Sequence, residues 1–248
     1  RGGGRSSGRE TIGRVAAGAI AEEVLKSLGI HVQAYTRSIG GIDIDETKAS
    51  LDNIMKSPLY MPDLDASEKA ELLLEQKMKE QDSAGGVIEC VVRGMPAGIG
   101  EPVFEKLDAN LAKAVMSIGA VKGVEIGDGF AVASAFGSDN NDSFVAAENG
   151  SIAKKTNHAG GILGGMSDGS DIILRAAVKP TPSIARKQQT VNRDGEDIEI
   201  SIKGRHDPVI VPRAVVVVEA MSAFCVLDMV LLGMTSRLDK IQEFWKRQ

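Results

Sequence analysis

Ala214 to Leu232 reads AVVVVEAMSAFCVLDMVLL, and how this stretch is buried decides the kind of protein it belongs to. Its length and apolar character suit a membrane span, but Glu219 and Asp228 interrupt it and Arg213 stands just before it. It reads as a helix buried in the core of a soluble protein. The rest of the composition agrees: 248 residues, 43% hydrophobic and 25% charged, enough to bury a real core and too apolar for disorder. A net charge of -5 argues against non-specific nucleic-acid binding, which wants a basic field. Cys90 sits in a Val/Ile-rich run and Cys225 inside the apolar stretch, and both read as buried reduced thiols of a cytoplasmic protein.

Outward from that helix, apolar periodicity marks the other elements. Ile12, Val15, Ala16, Ala19, Ile20 and Val24 recur at helical spacing, with Gly29 as a C′ residue. Ile30 to Ile39 reads as a strand ended by Gly40-Gly41, and Asp43 to Asp65 as a long irregular connection. Ser67 to Asp82 is an amphipathic helix, Gly86 to Arg93 a strand and Glu101 to Ala120 a helix. Val121 to Ile126 and Gly129 to Phe136 read as a strand pair turning at Gly127-Asp128, and Ser138 to Ser151 as an exposed loop or hairpin tip. Asp171 to Lys179 is a strand, and Gln189 to Lys203 holds a hairpin turning at Asn192 to Gly195. Helices alternating with hairpin-joined strands give an α+β class, largely antiparallel sheet with buried helices, in a single domain over residues 1–248.

The chain opens on Arg1-Gly2-Gly3-Gly4-Arg5-Ser6-Ser7-Gly8-Arg9-Glu10-Thr11, without an initiator Met. The first residue is therefore expected not to be the natural start, with an N-terminal section incomplete. Glycines admit a ligand close to the backbone, arginines suit phosphate or carboxylate, and Ser7 with Glu10 has capping-box spacing at a helix start. The same stretch also fits an Arg/Gly tail that touches RNA. Four more segments invite chemistry. Asn157 to Gly169 carries glycines at 160, 161, 164, 165 and 169, which suit close backbone approach or a simple turn. Lys179-Pro180-Thr181-Pro182-Ser183 ends a strand in a rigid loop bearing a cation and hydroxyls. Gly204-Arg205-His206-Asp207-Pro208 offers acid/base and anion-binding groups, or an N-cap at Asp207. Ser117-Ile118-Gly119-Ala120 reads as a helix end. His31, His158 and His206 are too scattered for a metal site, and neither a P-loop nor a Rossmann fingerprint is present.

Taken in order, RGGGRSSGRET, EPVFEKLDANLAKAVMSIGAVKGVEIGDGF, TNHAGGILGGMSDG, KPTPSI and GRHDPVIVPRAVVVVEAM closely resemble chorismate synthase, over nearly the whole chain. The resemblance implies a β-α-β sandwich, a homotetramer, and a lyase of the shikimate pathway. That lyase converts 5-enolpyruvylshikimate 3-phosphate to chorismate by 1,4-anti elimination with reduced FMN and no net redox change. It further implies FMN contacts at Arg5, Ser6, Ser7, Gly119, Ala120, Gly164, Lys179, Pro180, Thr181, Pro182, Ser183 and Arg205, and a substrate contact at Arg9. Asp207 resembles the family's proposed acid/base, working through the flavin N5.

Two departures qualify this. Gly119 stands where the family often has Asn, so a contact there is made by backbone. The family's two histidine motifs, of GESHG and PGHAD type, are absent, and His31, His158 and His206 match neither, so the chain as given is expected to be nearly inactive. Whether reduced flavin comes from an NADP-linked activity of the protein or from the cell stays open. So do two other classes, a flavin or nucleotide binder of different activity and an RNA-binding fragment. The chemistry fits the resemblance: charge developing on a departing phosphate is what fixed arginines and helix-start N–H groups stabilise.

Overall fold

The computed structural model describes residues 3–146, 152–202, 204 and 207–246. Helix α1 (Thr11–Ser27) leads into strand β1 (His31–Ile39), which Gly40 and Gly41, at φ +59° and +87°, fold back into β2 (Ile42–Asp43). Both central residues of that two-residue turn need positive φ, which is why glycines occupy them. Then follow α2 (Leu64–Lys79), β3 (Gly86–Arg93), α3 (Leu107–Met116) and β4 (Val121–Ile126). After the short α4 (Gly137–Asn140) come two small hairpins, β5 (Phe144–Ala146) with β6 (Ile152–Lys154), and β7 (Ile162–Leu163) with β8 (Met166–Ser167). Strand β9 (Ile172–Val178), the hairpin β10 (Gln188–Val191) with β11 (Asp197–Ile200), and helices α5 (Val211–Gly233) and α6 (Leu238–Lys246) complete the order.

The α+β class expected from the sequence is the one observed, with one antiparallel sheet in the order β2-β1-β3-β9-β4. Helices α1, α3 and α5 pack together over it, α5 resting on β1 and β3. α5 is long and apolar enough to cross a membrane by length and composition, yet Val211, Val218, Ala223 and Val226 are wholly buried inside the protein. On the helix-facing side Ile88, Cys90, Leu174 and Ala176 complete the core. Cys90 and Cys225 are free and buried, and desolvation pushes both thiols up to about 12. The other side carries a polar row in register, Tyr35, Glu89, Arg175 and Glu125. Glu89 is 5% exposed and accepts from the Tyr35 hydroxyl, from Arg37 at 3.0 Å and from Arg175 at 2.6 Å. A buried carboxylate is tolerated because donors surround it.

Several expectations are corrected. Gly129 to Phe136 is not a strand: Gly129–Ser134 forms a 3₁₀ turn, because Gly127 N–H and Asp128 N–H bond to Ile173 and His158 and the chain cannot fold back at that point. α3 begins only at Leu107, since Glu101 and Glu105 pair across a turn that contains Pro102. The irregular connection ends earlier than expected, where the Asp63 carboxylate caps α2 through Asp65 N–H and Ala66 N–H. The Ser7–Glu10 capping box does not form. Ser7 N–H is taken by the Gly4 carbonyl, Ser7 Oγ accepts from Arg9 N–H at 3.3 Å to cap a 3₁₀ turn, and Glu10 turns to Arg14 at 2.9 Å. The tip of the 138–151 segment and Lys203 lie outside the described residues. The hairpin at Asn192 is as expected, the Asn192 side chain accepting from Asp194 and Glu196 N–H groups.

α1 and α5 touch at Gly18, where a Cβ would stand 2.3 Å from the Cβ of Ala220. Gly18→Ala should therefore destabilise by about 1–3 kcal/mol through overpacking. Gly13→Ala, on the same helix with open space around it, should stabilise by about 0.5–1 kcal/mol. Urea unfolding of both variants checks this; equal effects would show that the helices do not meet at Gly18.

Candidate functional site

A chain of contacts gathers most of the candidate residues at one end of the sheet. Arg14, on the first turns of α1, donates to Ser117 Oγ at 2.6 Å and to the Ser117 carbonyl at 3.3 Å, drawing the Arg5–Arg9 segment toward the end of α3. Three residues on, Ala120 takes φ +73°, unusual for a residue with a Cβ, and its carbonyl accepts from Lys179 N–H at 3.0 Å. The loop after β9 is held in turn where Ser83 Oγ donates to the Thr181 carbonyl at 2.8 Å. Next to Ser83, Ala84 N–H donates to the Pro208 carbonyl at 2.8 Å and fixes the segment bearing Asp207. Arg5, Ser6, Ser7, Arg9, Gly119, Ala120, Lys179 to Ser183 and Asp207 thus belong to one neighbourhood, which α1 and α5 both enter at their N-termini. Helix N-termini favour anions.

Two sequence candidates stand apart. Gly164, at φ +61° in the β7–β8 turn, sits at the opposite end of α3, since Leu107 N–H bonds to the Gly165 carbonyl at 2.8 Å. The length of α3 at about 1.5 Å per residue puts it roughly 15 Å from Gly119 and Ala120. Arg205 lies outside the described residues, as does His206.

Asp207 is not the N-cap of α5. Ile210 occupies that position, and the Asp207 carboxylate forms a two-pronged pair with Arg213, Nη1 to Oδ2 at 2.7 Å and Nη2 to Oδ1 at 2.9 Å. Pro212 in the first turn of α5 removes an N–H that a cap would otherwise serve. Asp207 lines two concavities. One of about 150 Å³ includes Gln81, Asp82, Ile184 and Gly204; the other, of about 650 Å³, is walled by Gln33, Met55, Tyr60, Arg213, Val216 and Glu219.

The loop 179–183 also answers whether a phosphate-bearing cofactor suits this place. Thr181 Oγ1 is buried and makes no hydrogen bond within the protein, although a buried hydroxyl ordinarily has a partner. Beside it stand a lysine and, through Ala120 and Ser117, the arginine-rich opening. A cation, an unspent hydroxyl and backbone held in a left-handed turn fit an anionic planar cofactor such as FMN.

Glu219 was not singled out by sequence beyond breaking an apolar run. Its Oε2 accepts from Ala34 N–H at 2.6 Å and Gln33 Nε2 at 3.1 Å, and burial pushes the carboxyl up to about 7. A lone acid in an otherwise apolar helix was the available signal. His158 is likewise engaged, Nδ1 lying 2.6 Å from Asp128 Oδ2, in a loop clasped around the buried Lys154–Asp168 pair at 2.5 Å.

A family model described as chorismate synthase matches residues 1–231. Chorismate synthases of Lachnoclostridium phytofermentans and Agathobacter rectalis are 64% and 62% identical over 247 residues, covering 100% of this chain and 67% of each relative. That of Archaeoglobus fulgidus is 55% identical over 235 residues, 94% of this chain and 65% of the relative. A crystal structure of chorismate synthase superposes with a TM-score of 0.78 at 29% identity, covering 97% of this chain and 69% of that one. The chain thus spans about two thirds of the length of the relatives it matches. Over that span it belongs to the chorismate synthase family, lyases that form chorismate in the shikimate pathway that leads to the aromatic amino acids.

Proposed function

We propose that the enzyme converts 5-enolpyruvylshikimate 3-phosphate to chorismate and phosphate by 1,4-anti elimination with reduced FMN, as a cytoplasmic homotetramer. The observation that carries this reading is the convergence of the Arg5–Arg9 segment, Ala120, Lys179 and Asp207 at one end of the sheet, beside the unspent Thr181 hydroxyl. Reduced FMN, when bound, supplies the electron density that departure of an allylic phosphate draws on. Arg5 and Lys179 provide charge for its phosphate, Ser7, Thr181 and Ser183 provide hydroxyl donors, Gly119 and Ala120 provide backbone, and Ser6, whose own hydroxyl donates to the Gly3 carbonyl at 2.5 Å, shapes the turn that presents Ser7. Pro180 and Pro182 keep that loop rigid, so little entropy is lost on binding. The resemblance adds Arg205 to this set. Gly164 is left out of the site that this chain builds by itself.

Arg9 pairs with the anionic substrate, and preorganised cations of this kind lower the barrier by stabilising the charge that develops on the leaving phosphate. Asp207 receives the proton at its carboxylate. The two-pronged Arg213 pair orients that carboxylate at the cavity wall.

Both tests use protein of the relatives' full length. Phosphate release from 5-enolpyruvylshikimate 3-phosphate should occur with reduced FMN and not with oxidised FMN; equal turnover with both, or none with reduced flavin, would overturn the reading.

Asp207→Asn should leave FMN affinity unchanged and melting nearly so, because an exposed ion pair is worth only about 0–1 kcal/mol. Its single-turnover rate should fall by roughly 10²–10⁴-fold, the usual worth of a positioned acid or base. A wild-type rate would reduce Asp207 to a structural partner of Arg213.

A further inference from the structure

Glu219 ties α5 to β1 at a point where β1 has no strand on that edge, since β2 pairs only with Ser38 and Ile39. Ala34 N–H would lack a partner there without the Glu219 carboxylate. Gln33 Nε2 donates both to Glu219 and to the Ala34 carbonyl, at 3.1 and 3.2 Å, and both side chains face the cavity of about 650 Å³ that Asp207 and Arg213 also line.

We propose that Glu219 and Gln33 form a proton-responsive wall of the Asp207 cavity, with Glu219 as a positioning residue that sets how well the cavity accepts an anion. The proposal rests on the reading of Asp207 as the proton-transfer group. As a carboxylate Glu219 only accepts, so the Gln33 amide turns its NH₂ inward to it. Once protonated, Glu219 keeps one oxygen for Ala34 N–H and donates through the other. The Gln33 NH₂ keeps its bond to the Ala34 carbonyl, while its bond to Glu219 weakens because a neutral carboxylic oxygen is a poorer acceptor than a carboxylate. One proton therefore removes a negative charge from the wall and adds a donor to it, both of which favour an anion beside Arg213.

The surroundings place this exchange near neutrality. Burial is the largest influence on Glu219, raising it; the Ala34 N–H lowers it, Glu22 of α1 raises it and Lys26 of α1 lowers it. Glu22 is itself raised by burial, Cys90 on β3 stays a thiol, and Asp207 and Arg213 neutralise one another at the head of α5. Because the folded value lies above the ordinary 4.5, proton uptake stabilises the folded state fully at low pH, and that contribution is lost as pH rises through about 7.

The experiment follows the Gln33 side-chain amide resonances of the intact protein from about pH 6 to about pH 8, with melting temperature and kcat/KM over the same range, in wild type and Glu219→Gln. In wild type the Gln33 amide should titrate with a midpoint near 7, and the melting temperature should fall with rising pH. kcat/KM should drop roughly three- to tenfold more in wild type than in the variant, the scale of one added like charge at screened distance. Glu219→Gln should flatten all three profiles. A Gln33 signal flat across the range in wild type, or the same profiles in Glu219→Gln, overturns the proposal. The amide titration needs no turnover and no variant, so it stands apart from any failure of the Asp207 reading or of the variant to fold.

Discussion

A long helix this apolar must bury much of its surface, and the rest of this structure follows from covering α5, which leaves Val216, Phe224, Leu231 and Leu232 about half exposed. The sheet lies beneath it, α1 crosses it at the Gly18–Ala220 contact and α3 runs alongside. That arrangement leaves the helix-facing side of the sheet apolar and confines the polar row of Tyr35, Glu89 and Arg175 to the other. It also brings the starts of α1 and α5 and the end of α3 to the same edge as the end of β9. The candidate site is thus a by-product of packing: loops with few contacts of their own are positioned by rigid elements that meet there.

Long periodic segments were legible because burial alone specifies them. α1, β1, α2, β3, β9 and α5 all lie within a few residues of where apolar spacing puts them. The expectations that failed did so where a few hydrogen bonds outrank periodicity. Gly127-Asp128 has the composition of a hairpin turn, but its N–H groups are claimed by Ile173 and His158, and no pattern within Gly129 to Phe136 shows that. Ser7 and Glu10 have the right spacing for a reciprocal cap, yet Gly4 and Arg14 are better placed to satisfy them. α6, with Phe244 and Trp245 exposed, is short and starts only a few residues after the end of α5, so its own pattern is overshadowed by the apolar run before it.

Of the site, sequence could show which residue types suit an anion but not which of them meet. Gly164 and Gly119 look alike in the chain, and only the length of α3 separates them. Asp207 before Pro208 reads as a helix cap until Arg213, two turns of chain away, is seen to hold it. Glu219 gains its meaning from Ala34, far off in sequence, whose strand N–H needs an acceptor.

In the proposed function the Ala120–Lys179 end of the sheet holds the cofactor. FMN titration of protein of the relatives' full length, wild type against Thr181→Val, tests it most directly, because that change keeps the side-chain shape and removes only the unspent hydroxyl. FMN binding should weaken by roughly tenfold or more, the worth of one hydrogen bond to a charged group. Unchanged FMN affinity in a variant that melts like wild type would contradict it.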